Sequence, residues 1–172
     1  MLTIRHLEAQ DIEMMTAAFQ KIGWNKSVSL FESYFDQQSS GKRLVLVAIM
    51  QGLFAGYLTI NWQSDYPSFK EQNIPEIQDF NVLPEFRRQG IGTRLMDEAE
   101  EIIGKRSPVV GIGFGLYADY GAAQRMYVMR GYVPDGKGVF YDHQPVTPGG
   151  QMNVDDDLVL YLTKNLRIMA TK

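Results

Sequence analysis

The chain has 172 residues, 45% hydrophobic and 22% charged, with no cysteine and a net charge of −3. That size and balance suit one globular domain spanning 1–172 with a full core, rather than a disordered chain. Disulfides, thiolate metal sites and a cysteine nucleophile are excluded outright. The acidic balance argues against a nucleic-acid partner. The longest clean apolar run, residues 44–50, is far too short for a membrane span. Residues 1–6 lack the basic start and apolar stretch of a signal peptide, so a cytoplasmic location is expected.

The expected elements follow in chain order. Residues 3–7 read as a short strand. Residues 11–22 read as a helix, with Ile12, Met15, Phe19 and Ile22 on one face and Gly23 as the stop. Ser27 or Ser29 can cap a second helix running to about Gln38. Residues 44–50 and 53–62 read as two strands around a Gln51-Gly52 hairpin turn. Residues 64–73 read as irregular, and 74–82 as a third long strand. Residues 90–103 form the clearest helix, with Ile91, Leu95, Ala99 and Ile102 at helical spacing. A strand is expected at 109–116, a helix at 118–130 ended by Gly131, and paired strands at 132–142 and 158–162. Strands and helices mix without strict alternation, which implies an α+β or mixed α/β sheet.

The segment Val82-Leu83-Pro84-Glu85-Phe86-Arg87-Arg88-Gln89-Gly90-Ile91-Gly92-Thr93-Arg94 carries the most chemistry. An apolar strand runs into a basic turn, two glycines and an amphipathic helix. Glycine lets backbone approach an anion without a Cβ in the way. The helix start adds N–H groups and the positive end of the helix dipole. A dinucleotide fingerprint is excluded, because Leu95 and Leu116 stand where the third glycine would be after Gly90-Ile91-Gly92 and Gly111-Ile112-Gly113. The segment from Gly131 to Lys137 nearly spells a nucleotide P-loop. Gly138 replaces the Ser or Thr that would hold magnesium, and helix and strand flank it in the wrong order, so it reads as a turn.

Arg87-Arg88-Gln89-Gly90-Ile91-Gly92 fits the Arg/Gln-x-x-Gly-x-Gly/Ala signature of the GNAT acyl-CoA N-acyltransferases. Ala123-Gln124-Arg125-Met126-Tyr127, followed by Gly131-Tyr132, resembles that family's Ala-x-x-x-Tyr helix. The resemblance covers the core from about Leu44 to Asp135. It implies a mixed, mostly antiparallel central sheet with flanking helices, whose two central strands splay to admit the cofactor. It also implies acetyl-CoA as acyl donor. Backbone of Phe80, Asn81 and Val82 and the turn Arg87, Arg88, Gln89, Gly90, Ile91, Gly92 and Thr93 would bind it.

Acyl transfer to an amine needs a bound thioester, a neutral amine, carbonyl polarisation and a proton for the leaving thiolate. The resemblance implies that the Phe80 N–H meets the acetyl oxygen and that Tyr127 gives the proton. Glu76 stands where several family members carry a catalytic glutamate, and Asp79 is the competing carboxylate. Strand alternation puts 76, 78 and 80 on one face and Asp79 on the other, unless a bulge intervenes. Many relatives carry Asn where this chain has Tyr120, so Tyr120 is a candidate for the substrate side. Trp24, Trp62 and Tyr117 are further substrate-side candidates. His6 and His143 make no metal spacing, and Asp155-Asp156-Asp157 reads as a solvated turn, so no metal is expected. The expected reaction is direct transfer from acetyl-CoA to a small primary amine. A protein or peptide acceptor, and a non-catalytic acyl-CoA sensor, are the alternatives. A homodimer is compatible with either.

Overall fold

The computed structural model describes residues 1–166. In chain order the elements are β1 (Leu2–His6), α1 (Asp11–Lys21), α2 (Val28–Ser39), β2 (Arg43–Met50), β3 (Leu53–Asn61), α3 (Pro67–Gln72), β4 (Glu76–Val82), α4 (Ile91–Gly104), β5 (Val109–Gly115), α5 (Gly121–Met129), β6 (Val133–Tyr141), β7 (Gln144–Pro145) and β8 (Leu158–Asn165). Short 3-10 turns occupy Pro84–Phe86 and Ala118–Tyr120. Each strand pair with a defined register is antiparallel. With helices flanking the strands, this is the expected α+β class.

The chain divides into two compact units. The first comprises Met1–Trp62 and Ile77–Ile102. Its strands run in the order β1-β2-β3-β4. Gln51 and Gly52 both take left-handed φ, 53° and 82°, as a two-residue hairpin turn between β2 and β3 requires. Ser27 caps α2, its Oγ accepting the Leu30 N–H at 3.2 Å. Asp11 starts α1 and takes the Arg5 guanidinium on both oxygens, at 2.6 and 2.7 Å. The core joins Leu7, Met15, Phe19, Phe31, Val45, Val47, Phe54 and Tyr57. On α4 the buried positions are Ile91, Leu95, Met96, Ala99 and Ile103. Ile103 therefore takes the inward place expected of Ile102, which is half-buried.

The second unit comprises 63–76 and the chain from Ile103. Its strands run in the order β5-β8-β6-β7. Its core contains Tyr66, Phe69, Ile74, Phe140 and Tyr161, with the Tyr66 and Tyr161 rings stacked 3.7 Å apart. The supposedly irregular stretch 64–73 holds α3. Pro67 at its first turn and Asn73 in a left-handed C-cap (φ 53°) bound it, and Phe69 anchors it. β6 and β8 pair as expected. Of the P-loop-like glycines, Gly131 lies in the turn after α5, whereas Gly136 and Gly138, with φ of 82° and 81°, lie inside β6, where the register shifts between Pro134 and Val139. A further tight turn at Asp142-His143, both left-handed, creates β7.

Candidate active site

In the first unit, β4 does not keep strict alternation. Asp79 has φ +47°, the left-handed signature of a bulge. Gln78 and Asp79 consequently reach the same neighbourhood. Gln78 Oε1 accepts from Arg43 Nη1 at 3.1 Å, and the Arg43 guanidinium lies 4.8 Å from the Tyr34 ring centroid. The Tyr34 hydroxyl in turn donates to Asp79 Oδ2 at 2.9 Å. The expectation that 78 and 79 point to opposite faces is thereby corrected.

Asp79 is a fully engaged carboxylate. Lys26 Nζ stands 2.5 Å from Oδ1, Asn81 Nδ2 donates to Oδ1 at 2.9 Å, and the Tyr57 and Tyr34 hydroxyls donate to Oδ2. Burial and the Asp79 charge together push both tyrosine hydroxyls far up, so both stay neutral donors. This arrangement occupies both Asp79 oxygens, each with two donors. Lys26, Tyr34 and Tyr57 carried no local sequence signal for it, because they lie 53, 45 and 22 residues from Asp79.

After β4 the chain passes the Pro84–Phe86 turn and reaches Arg88 and Gly90, both left-handed, with φ of 62° and 77°. Alternating backbone hands of this kind turn successive N–H groups toward one point, a concavity that suits an anion. α4 begins at once, and the Gly90 carbonyl accepts the Arg94 N–H at 3.0 Å. Arg87, Arg88, Gln89, Gly90 and Thr93 are exposed, while Ile91 is buried and anchors the helix start. A Cβ added at Gly90 would meet no atom within 4 Å, so the space before the turn is open. Donor type, backbone hand and open space all fit a pyrophosphate. Arg87 folds back, its Nε donating to the Val82 carbonyl at 3.1 Å and its guanidinium lying 5.6 Å from the Trp24 ring. Trp24 also stacks on Phe19 at 5.9 Å. The structure thus brings Trp24, expected on the substrate side, against Arg87 of the glycine turn.

In the second unit, Tyr127 is 5% exposed on α5 and packs near Phe114 and Tyr132, with ring centroids 6.4 and 6.0 Å away. Its hydroxyl makes no hydrogen bond among the described residues. Burial pushes its ionisation well above the ordinary tyrosine range, so it holds its proton at neutral pH. Tyr117 and Tyr120 form an edge-to-face pair, 5.1 Å between centroids, and both hydroxyls donate to Asp156 Oδ1. The bond to Asp156 pushes the Tyr117 hydroxyl up to about 12. Tyr141 donates to Asp155 at 2.9 Å, so tyrosines organise the triple-aspartate loop. Glu76, 4% exposed, accepts the Ser64 hydroxyl in the interior of this unit. Trp62 is half-buried at the end of β3, its N–H donating to the Lys42 carbonyl at 3.1 Å. No described helix is long and apolar enough to cross a membrane.

An uncharacterized N-acetyltransferase of Archaeoglobus fulgidus is 38% identical over 65 residues, 37% of this chain and 42% of that protein. The ribosomal-protein-S18-alanine N-acetyltransferase of Escherichia coli superposes with a TM-score of 0.69 at 18% identity, over 100% of this chain and 97% of that one. A putative acetyltransferase from Salmonella typhimurium, solved with its cofactor acetyl-CoA, gives a TM-score of 0.69 at 16% identity, over 99% of this chain and 96% of that one. These two establish the fold. The profile of the acetyltransferase (GNAT) family matches residues 10–132, and that span holds both the glycine turn and the Tyr127 helix. The chain belongs to the GNAT family of acetyl-CoA-dependent N-acetyltransferases.

Proposed function

We propose that this protein transfers acetyl directly from acetyl-CoA to a primary amine of a small molecule. The observation that carries the reading is the left-handed pair Arg88 and Gly90 at the open start of α4. Backbone from Arg88 to Thr93 holds the pyrophosphate, with Phe80, Asn81 and Val82 along the thioester arm. The bulge at Asp79 stands immediately before Phe80 and takes the backbone out of the regular ladder. The Phe80 N–H then polarises the acetyl carbonyl.

Glu76 takes the proton of the incoming ammonium, and the amine nitrogen attacks the carbonyl carbon. A C–N bond forms, the C–S bond breaks, Tyr127 gives its proton to the thiolate, and the second amine proton, lost as the amide forms, returns to the Tyr127 phenolate. With no cysteine in the chain, no cysteinyl acyl-enzyme forms. The saturated Asp79 favours Glu76 as the base.

The test is the thermal shift caused by acetyl-CoA, in the wild type and in Gly90→Glu. At a hundred times its dissociation constant the ligand contributes about 2.7 kcal/mol. For a chain of this size that raises Tm by about 5–10 °C. The glutamate fills the open space with negative charge, and the shift should vanish. An equal shift in the variant refutes the proposed pocket. Thiol release is then measured on free amines and on peptides with free N-termini. Turnover confined to peptides overturns the small-molecule acceptor.

A further inference from the structure

Resting on the acetyl-transfer reading, we infer that Arg43 selects the acceptor: its outer nitrogen, Nη2, receives the carboxylate of an amino-acid-like amine. Arg43 is 9% exposed, and its planar guanidinium presents a fork of donors that matches a carboxylate. Its Nη1 donates to Thr59 Oγ1 at 2.6 Å and to Gln78 Oε1 at 3.1 Å. Its Nε donates to Gln37 Oε1 at 2.9 Å. Every one of these acceptors is neutral. Of the five guanidinium N–H groups, three are used, and the two on Nη2 have no partner among the described residues. The charge is therefore held in the interior with one nitrogen unpartnered among the described residues.

The surrounding charges do not balance it. Tyr34 links the Arg43 guanidinium, over its ring at 4.8 Å, to Asp79, at its hydroxyl. Asp79 is the one carboxylate of this cluster, and Lys26 neutralises it at 2.5 Å. Two cations thus share one anion. A buried charge without a counter-ion costs stability, and neutral oxygens with an aromatic face reduce that cost without cancelling the charge. An acceptor bearing a carboxylate supplies the missing charge. The cluster also includes Gln78 and Asp79 on β4, just before Phe80, the residue proposed to polarise the thioester.

The experiment compares amines that differ by a carboxylate: lysine against cadaverine, ornithine against putrescine, with phosphoethanolamine against ethanolamine as the phosphate arm. The expected result is a kcat/KM ratio of about ten to a hundred in favour of the carboxylated member, expressed mainly in KM. Arg43→Gln should collapse that ratio, and Arg43→Lys should restore part of it. A ratio unchanged in Arg43→Gln, or a wild type that favours the decarboxylated amines, overturns the inference. A preference confined to the phosphate arm overturns the carboxylate assignment.

If Arg43→Gln does not fold, the wild-type ratio and the Arg43→Lys ratio decide. If no amine is acetylated, the transfer reading fails, and thermal shifts with the same pairs test Arg43 separately. A carboxylate-dependent shift reduced in the variants supports Arg43; equal shifts, or none, refute it.

Discussion

Replacing Tyr127 by Phe removes one oxygen that hydrogen-bonds to no described residue and keeps the ring that packs near Phe114 and Tyr132. The stability cost should therefore stay within about 0.5 kcal/mol, or about 1–2 °C in Tm for a chain of this size. The catalytic cost should be much larger. A positioned acid contributes about 10²- to 10⁴-fold, and a hundredfold loss is about 2.7 kcal/mol of transition-state stabilisation. Because burial raises its ionisation far above neutrality, Tyr127 is protonated at every practical assay pH. The loss in kcat should thus be the same at pH 6.5 and pH 8.5. At alkaline pH the sign is fixed by linkage. A group with a raised folded-state pKa contributes stability in full below the unfolded value near 10, and that stability is lost as pH rises above it. Tyr127→Phe should accordingly lose less stability above pH 10 than the wild type. The assay is thiol release at saturating acetyl-CoA and amine, with denaturation midpoints measured alongside. A kcat within threefold of wild type in a fully folded variant would refute the proton-donor role.

Asp79→Asn leaves Lys26, with a side chain 22% exposed, without its counter-ion. It should cost about 2 kcal/mol, or roughly 4–8 °C in Tm. In a Lys26→Met background the cost should shrink, and strictly additive losses would contradict the linkage. Gly56→Ala places a Cβ 2.5 Å from the Asn81 carbonyl oxygen, a backbone atom that cannot step aside. Urea denaturation should show a loss of about 1–3 kcal/mol, and an unchanged midpoint would mean that β3 and β4 have slack there. For Asp11, burial opposes ionisation, but the Arg5 fork and the Glu8 N–H outweigh it and hold the carboxyl below its usual range. A depressed folded-state pKa contributes stability above the unfolded value near 3.9, lost as pH falls below it. Asp11→Asn should therefore lose less stability between pH 7 and pH 3 than wild type; parallel acid curves would reject the assignment.

What could be read from the chain, and what could not, follows from the range of the forces involved. The glycine turn was legible because its requirements are local: a left-handed residue, a missing Cβ and a helix start lie within seven positions, 87–93. The Gln51-Gly52 hairpin, the Ser27 cap and the α4 stripe were legible for the same reason. The α3 helix was missed although Pro67 and Asn73 bracket it, because six residues carry too few turns for a period to show. The role of Asp79 had no local expression at all. Alternation is the default for a strand, and only the long-range grip of Lys26, Tyr34 and Tyr57 makes the left-handed break at Asp79 affordable. With four donors already on Asp79, Glu76 is the carboxylate proposed as the base. The same grip takes the counter-ion that Arg43 would otherwise have had. In the proposed mechanism the same contacts set the backbone before Phe80 and leave a buried positive charge beside it, so the backbone bulge and the acceptor preference should respond together when Asp79 is altered.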